Sequence, residues 1–219
     1  MDAGRLDIRR AAWACVLLMV CVLGAGVFFA TVSGDPLPID NWWHDHVAFS
    51  RGSAPFAVAV FFAEVGGSIG AAACTAIAAA LLLALKRPRD AGAVVTALLL
   101  GVASSEIIKA FVVRPRPLDE LYFTTGHSFP SGHSMGAAAL AVSLALVFTR
   151  WRGSPYEARA WPWILAAGWT LLMMLSRTGL HVHWFTDVFA GAALGISAAV
   201  FSRLLWEKDP GAANVRGAQ

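Results

Sequence analysis

Six stretches of this chain are apolar over the length a helix needs to cross a bilayer, and that limits its fold more than any other feature. A span of the hydrocarbon core takes roughly 20 helical residues, and candidates fall at about 11–32, 67–85, 91–113, 131–149, 162–180 and 188–206. Lipid offers no hydrogen-bond partner to the backbone, so each span must satisfy its own groups, which a helix does. Composition agrees, since 58% of the 219 residues are hydrophobic and 14% charged, whereas soluble domains are about 45–50% apolar. No repeat, low-complexity tract or long hydrophilic linker interrupts the series. The expected fold is all-α, a polytopic membrane bundle of six transmembrane helices, in one domain over residues 1–219.

The segment from Ser33 to Gly66 differs in character. Pro36, Pro38, Asp40, Trp42, Trp43, His44, Asp45 and His46 suit a membrane-water interface, where indole rings anchor. The apolar run from Phe56 to Ala63 is too brief to span and ends at Gly66-Gly67, so it reads as a short interfacial helix between the first and second spans. The alternative is one long tilted helix over 54–85.

Orientation follows from the basic residues. Twelve of the seventeen Lys and Arg fall in the amino-terminal segment (Arg5, Arg9, Arg10), two alternate loops (Lys86, Arg87, Arg89; Arg150, Arg152, Arg159) and the tail (Arg203, Lys208, Arg216). The positive-inside rule then puts both termini in the cytoplasm and the intervening loops on the outer, periplasmic or extracellular, face of the plasma membrane. The formal charge of +3 reflects this topology and does not point to nucleic acid as a partner. The first apolar run is about 22 residues long, which favours a retained anchor over a cleaved signal peptide. Cys15, Cys21 and Cys74 all lie within predicted spans, so no disulfide framework is indicated.

Three polar clusters sit at the outward ends of these spans. Lys109 closes the third, and the helix should stop before Arg114-Pro115-Arg116-Pro117, because proline lacks a donor and biases its predecessor toward extended geometry. Arg offers a planar fork to phosphate oxygens, and Lys a point charge. Taken singly, Lys109 could equally be a snorkelling lysine and Arg116 an interfacial anchor. Pro130-Ser131-Gly132-His133 opens the fourth span with a good N-cap serine and a glycine that lets a ligand approach free helix-start N–H groups. Ser176-Arg177 is followed by His183 and Asp187, whose i to i+4 spacing puts imidazole and carboxylate on one face if the sixth helix starts near His183. A carboxylate bonded to one ring nitrogen fixes the tautomer and frees the other nitrogen to attack. The plain alternative is a structural His-Asp pair at a helix start.

Taken together, Lys109 with Arg116-Pro117, then Pro130-Ser131-Gly132-His133, then Ser176-Arg177 with His183 and Asp187, in that order and spacing, resemble the signature of the type 2 phosphatidic acid phosphatase superfamily. These are membrane lipid phosphatases related in their site to vanadium haloperoxidases. The signature occupies 109–187 and the resemblance extends over about 60–205. It implies a two-step hydrolysis without cofactor or metal, in which the residue matching His183 forms a phosphohistidine and the one matching Asp187 supports it. The residue matching His133 protonates the leaving group, and those matching Lys109, Arg116, Ser131, Gly132 and Arg177 hold the phosphate.

The implied substrate is a membrane lipid phosphate in the bilayer: a polyprenyl diphosphate such as undecaprenyl diphosphate, or phosphatidate or phosphatidylglycerol phosphate. A phosphotransferase using the same site is the first alternative. A transporter is disfavoured, because the charges gather at helix ends and not at the midplane. Among nearby residues, Glu106 can pair with Lys109, while His127 and His181 match no signature position and read as structural or interfacial. His44-Asp45-His46 reads as no metal site, since neighbouring residues point apart and no third cluster supports it.

Overall fold

A computed structural model describes residues 3–149 and 160–207, with the side chains of 3–7 and 9 left aside. The basic residues Arg150, Arg152, Arg159, Lys208 and Arg216, used for orientation, lie outside the described residues, as do the side chains of Arg5 and Arg9. Among the described residues there are eight helices and no strand: α1 (Ala3–Thr31), α2 (Pro38–His46), α3 (Ala54–Gly66), α4 (Ser68–Ala84), α5 (Pro88–Phe111), α6 (Gly132–Thr149), α7 (Ala160–Gly179) and α8 (Phe185–Leu205).

Every expected span is a helix, but the count of crossings is not six by length and apolarity. Residues 10–31 of α1, with α5, α6 and α8, are four helices long and apolar enough to cross a membrane. A fifth arises if α3 and α4, bent 65° to one another at Gly67, act as one broken span. The apolar run at 56–63 therefore belongs to a 13-residue α3 that Ser53 caps by accepting the Phe56 N–H, and the single tilted helix over 54–85 is broken in two. The interface segment adds a separate nine-residue helix, α2, entered through Pro38. Carrying Trp161, Pro162, Trp163, Trp169 and Arg177, α7 does not join the four.

The packing is that of a bundle whose outside is greasier than its inside. Leu17, Ile77, Leu99, Leu165 and Phe189 are exposed, while Ser134, Ser143, Ser197 and Ser202 are buried. A soluble surface seldom carries such continuous apolar cover. Small residues let the helices close up: a Cβ on Gly191 would fall 2.2 Å from the Ser131 carbonyl oxygen, and one on Gly195 equally near that of Met135. This glycine pair, one helical turn apart on α8, sets the start of α6 directly against the start of α8. The Ser202 hydroxyl ties α8 to α5 by donating to the Ala93 carbonyl at 2.7 Å. A core of Phe29, Ile108, Phe129, Met135 and Leu194 joins α1, α5, α6 and α8 beneath the polar end.

Candidate active site

All three polar clusters meet at one end of the bundle. As expected, α5 stops at Phe111, before the Arg-Pro repeat, with Lys109 in its last turn. The Lys109 Nζ bonds Glu106 at 3.2 Å and lies 3.5 Å from where a Gly132 Cβ would be. Lysine and the glycine opening α6 therefore share one space. Ser131, fully buried, precedes α6; its Oγ accepts the Ser134 N–H at 3.5 Å, and its own N–H donates to the Asp187 carbonyl at 3.0 Å. His133, in the first turn, contacts the Ala63 carbonyl through Nε2 at 3.1 Å, drawing the end of α3 into the site.

Arg116 is braced by backbone. Its guanidinium donates to the carbonyls of Val182 (2.5 Å), Gly126 (2.9 Å) and Thr125 (3.0 Å), and Nη1 stands 3.1 Å from His183 Nε2. Because a guanidinium only donates, that contact requires Nε2 to carry a lone pair, so the ring proton sits on Nδ1. Burial pushes the His183 ring down to about 4, with Arg116 adding to the effect and Asp187 opposing it, so the imidazole is neutral near neutral pH. A neutral ring with Nε2 unprotonated has the electronic form of a nucleophile.

The pairing of His183 with Asp187 is looser than the i to i+4 argument supposes. Helix α8 begins at Phe185, which leaves His183 in the preceding turn, and Nδ1 lies 3.6 Å from Asp187 Oδ2, beyond hydrogen-bond range. The same Oδ2 instead accepts the Trp184 N–H at 2.9 Å and the hydroxyl of Ser128, while Oδ1 takes Arg114 at 2.5 Å. Ser128 Oγ also stands 3.5 Å from His183 Nδ1, so serine and carboxylate flank the protonated nitrogen together.

Sequence reasoning missed the buried base of this arrangement. Arg114 is fully buried, with Nη1 on Asp187 and Nη2 on Asp40 at 2.7 Å, and its guanidinium lies 3.9 Å over the Phe29 ring. Asp40, also fully buried, accepts the Thr186 N–H at 2.8 Å and the Leu37 N–H at 2.9 Å. Arg114, itself held by Asp40 and Thr186, thus grips Asp187 Oδ1, while Ser128 bonds the Oδ2 that faces His183. The duplicated Arg-Pro was the only hint, and nothing linked Asp40 to a partner 74 residues away.

Arg177, at the end of α7, is the exception. It is fully buried, yet none of its three guanidinium nitrogens has a hydrogen-bond partner among the described residues. Tyr122 lies beside it, ring centroid 5.9 Å from the guanidinium carbon, and passes its own hydroxyl proton toward Glu64. A buried cation with every donor unused is costly unless an anion completes it. Among the described residues, then, Arg177 is a buried cation that calls for an anion, while Lys109 faces Gly132 and Arg116 faces His183.

The PAP2 superfamily profile matches residues 90–210. Over 124 residues the chain is 32% identical to an undecaprenyl-diphosphatase of Sulfolobus acidocaldarius, covering 53% of this chain and 55% of that protein. A phosphatidylglycerophosphatase B of Bacillus subtilis is 32% identical over 93 residues, 42% of this chain and 46% of that one. The matched stretches thus span about half the length of these curated relatives. Among solved structures, a transmembrane PAP2 type phosphatidylglycerolphosphate phosphatase from Bacillus subtilis superposes with a TM-score of 0.76 at 22% identity, covering 87% of this chain and 94% of that one. Aquifex aeolicus LpxE gives 0.57 at 22%, over 76% and 93%. At such identity these two likenesses speak for the fold.

Proposed function

This chain belongs to the PAP2 superfamily, and on that premise we propose that it is an integral membrane phosphatase of lipid phosphates working through a phosphohistidine on the outer face of the membrane. The observation that carries the reading is Arg177, buried with all its donors unused beside a neutral His183. Substrate phosphate enters between Lys109, Arg116 and Arg177, its oxygens meeting the N–H groups at the start of α6. The charge a metal would otherwise supply to those oxygens comes from the three cations. His183 Nε2 attacks phosphorus in line, the bond to the leaving oxygen breaks, and His133 gives that oxygen its proton. Asp187, steadied by Arg114 and Ser128, balances the charge His183 gains. In the second step His133 takes a proton from water, which attacks phosphorus and releases phosphate and free His183.

The undecaprenyl-diphosphatase and phosphatidylglycerophosphatase among the relatives support a polyprenyl diphosphate or an anionic glycerophospholipid monoester as substrate. Phosphate release from a panel of such lipids in detergent decides between them. With the preferred lipid, His183→Ala should abolish turnover, while His133→Ala should slow it about 100-fold or more, and less for a substrate with a good leaving group. Wild-type turnover by His183→Ala would end the proposal.

Orientation has its own test in a variant lacking Cys15, Cys21 and Cys74. A cysteine at Leu118, which is fully exposed in the loop before α6, should react with an impermeant reagent in intact cells. One at Lys86, exposed at the opposite end between α4 and α5, should not.

A further inference from the structure

Outside the phosphate space, three side chains from three separate segments converge. His44, in the last turn of α2, brings Nε2 to 3.2 Å from Asp119 Oδ2. His181, in the turn between α7 and α8, brings Nδ1 to 2.8 Å from the same oxygen. The two rings lie 3.8 Å apart between centroids, and all three ligand atoms fall within 4.8 Å of one another.

The other nitrogen of His181 decides what this cluster is for. His181 Nε2 is 3.1 Å from the Val47 carbonyl, so Nε2 carries the proton. In the neutral ring Nδ1 is then a bare lone pair, directed at a carboxylate oxygen. Two acceptors at 2.8 Å require something positive between or beside them. A proton would serve, turning His181 into an imidazolium, and so would a metal ion.

Several features favour the metal. Ring anchoring of the far N–H by a backbone carbonyl is the arrangement that orients metal-binding histidines. His181 is held in a left-handed backbone conformation, φ 54°, which aims its ring at α2. Ligand separations of 2.8 and 3.2 Å approach the edge of about 3.3 Å expected for a tetrahedron with bonds near 2.05 Å. Asp119 is 60% exposed, leaving a fourth position open to water.

From this geometry we infer a zinc site formed by His44 Nε2, His181 Nδ1 and Asp119, with water as the fourth ligand. Two imidazoles and one carboxylate are a set that zinc accepts well. The ion pins α2, the loop before α6 and the α7–α8 turn to one another. Arg116 precedes Asp119 by three residues and His183 follows His181 by two, so zinc steadies the two segments that deliver cation and nucleophile without touching the phosphate. The inference does not depend on the chemistry proposed above.

Tag-free, metal-stripped protein in detergent, titrated with zinc alone and followed by calorimetry, should bind one ion per chain. Its thermal midpoint should rise by roughly 3 °C or more. Asp119→Asn and His44→Ala should each weaken binding at least about tenfold and remove the thermal rise. His46→Ala should do neither, because His46 turns back onto the Trp42 carbonyl. Absence of stoichiometric binding to the wild type would assign the gap at His181 to a proton. Equal zinc affinity in wild type and either ligand variant would likewise overturn the site. Since no readout here is turnover, a failed phosphatase assay and a failed zinc site are separate results.

Discussion

Two arginines at the same end of the bundle are both fully buried, and their surroundings are opposite. Arg114 is clamped between Asp187 and Asp40, with an aromatic ring against its face. Arg177 has no hydrogen-bonding partner among the described residues. Burying an ion costs several kcal/mol or more unless a counter-charge and hydrogen bonds offset it. The Arg114 region meets that cost inside the protein and is therefore complete when empty. The Arg177 region leaves it for a ligand to meet, which supports the proposed phosphate site without reference to any motif.

The comparison predicts opposite responses to removing each charge. Arg177→Gln should lower turnover about a thousandfold, the loss expected when a preorganised donor to a developing oxyanion is removed. Its thermal stability should match or exceed the wild type, since the substitution removes an uncompensated buried charge. A variant that melts earlier by many degrees would mean that Arg177 has a structural role.

Arg114→Met should do the reverse. Asp40 loses its only ion-pair partner among the described residues, and Asp187 keeps its bonds from Ser128 and the Trp184 N–H but no cation nearer than the weak contact to His183. Breaking a buried pair in this way costs about 3–5 kcal/mol, read as a lowered thermal midpoint in detergent. Activity should fall with it, because Asp187 loses the charge that holds its Oδ1. Adding Asp40→Asn should recover part of the stability, as the second buried charge goes too.

Ligand linkage sharpens the same contrast at smaller magnitude. Orthovanadate, which adopts the five-coordinate geometry of a phosphoryl-transfer transition state, should inhibit the enzyme. At about a hundred times its dissociation constant it should stabilise the wild type by about 2.7 kcal/mol. Arg177→Gln should show little or no such rise. Equal stabilisation of both proteins would place vanadate elsewhere.

The sequence showed the residues of the proposed anion site more clearly than the scaffold behind them. Lys109, Arg116, Ser131, Gly132, Arg177 and His183 stood out because each sits at or just beyond the end of an apolar run, where a polar residue near lipid needs a reason. Asp40 and Arg114 did not, since a contact across 74 residues has no local signature. Asp40 read as one more polar residue in an interfacial stretch. His44 was read only with its chain neighbours Asp45 and His46, and His181 matched no signature position, whereas their shared contact, Asp119, stands on the loop before α6. The break at Gly66-Gly67 was legible, but its 65° angle was not, because a glycine between apolar runs marks a change of direction without fixing it.

The far end of the bundle supplies the control. There Asp90 bridges Arg203 at 2.5 Å and Arg87 at 2.6 Å, joining the start of α5 to the end of α8. These side chains are 11–23% exposed, so the ions keep some hydration and the pair is worth less than its buried counterpart. Arg203→Met leaves Arg87 on Asp90, so no carboxylate is stranded. The expected loss is about 1 kcal/mol, the upper part of the range for pairs near water, with turnover unchanged. A loss as large as that of Arg114→Met would show that sharing one carboxylate between two arginines gives no protection. It would show as well that partial exposure spares the pair nothing, so that burial is not what separates the two ends.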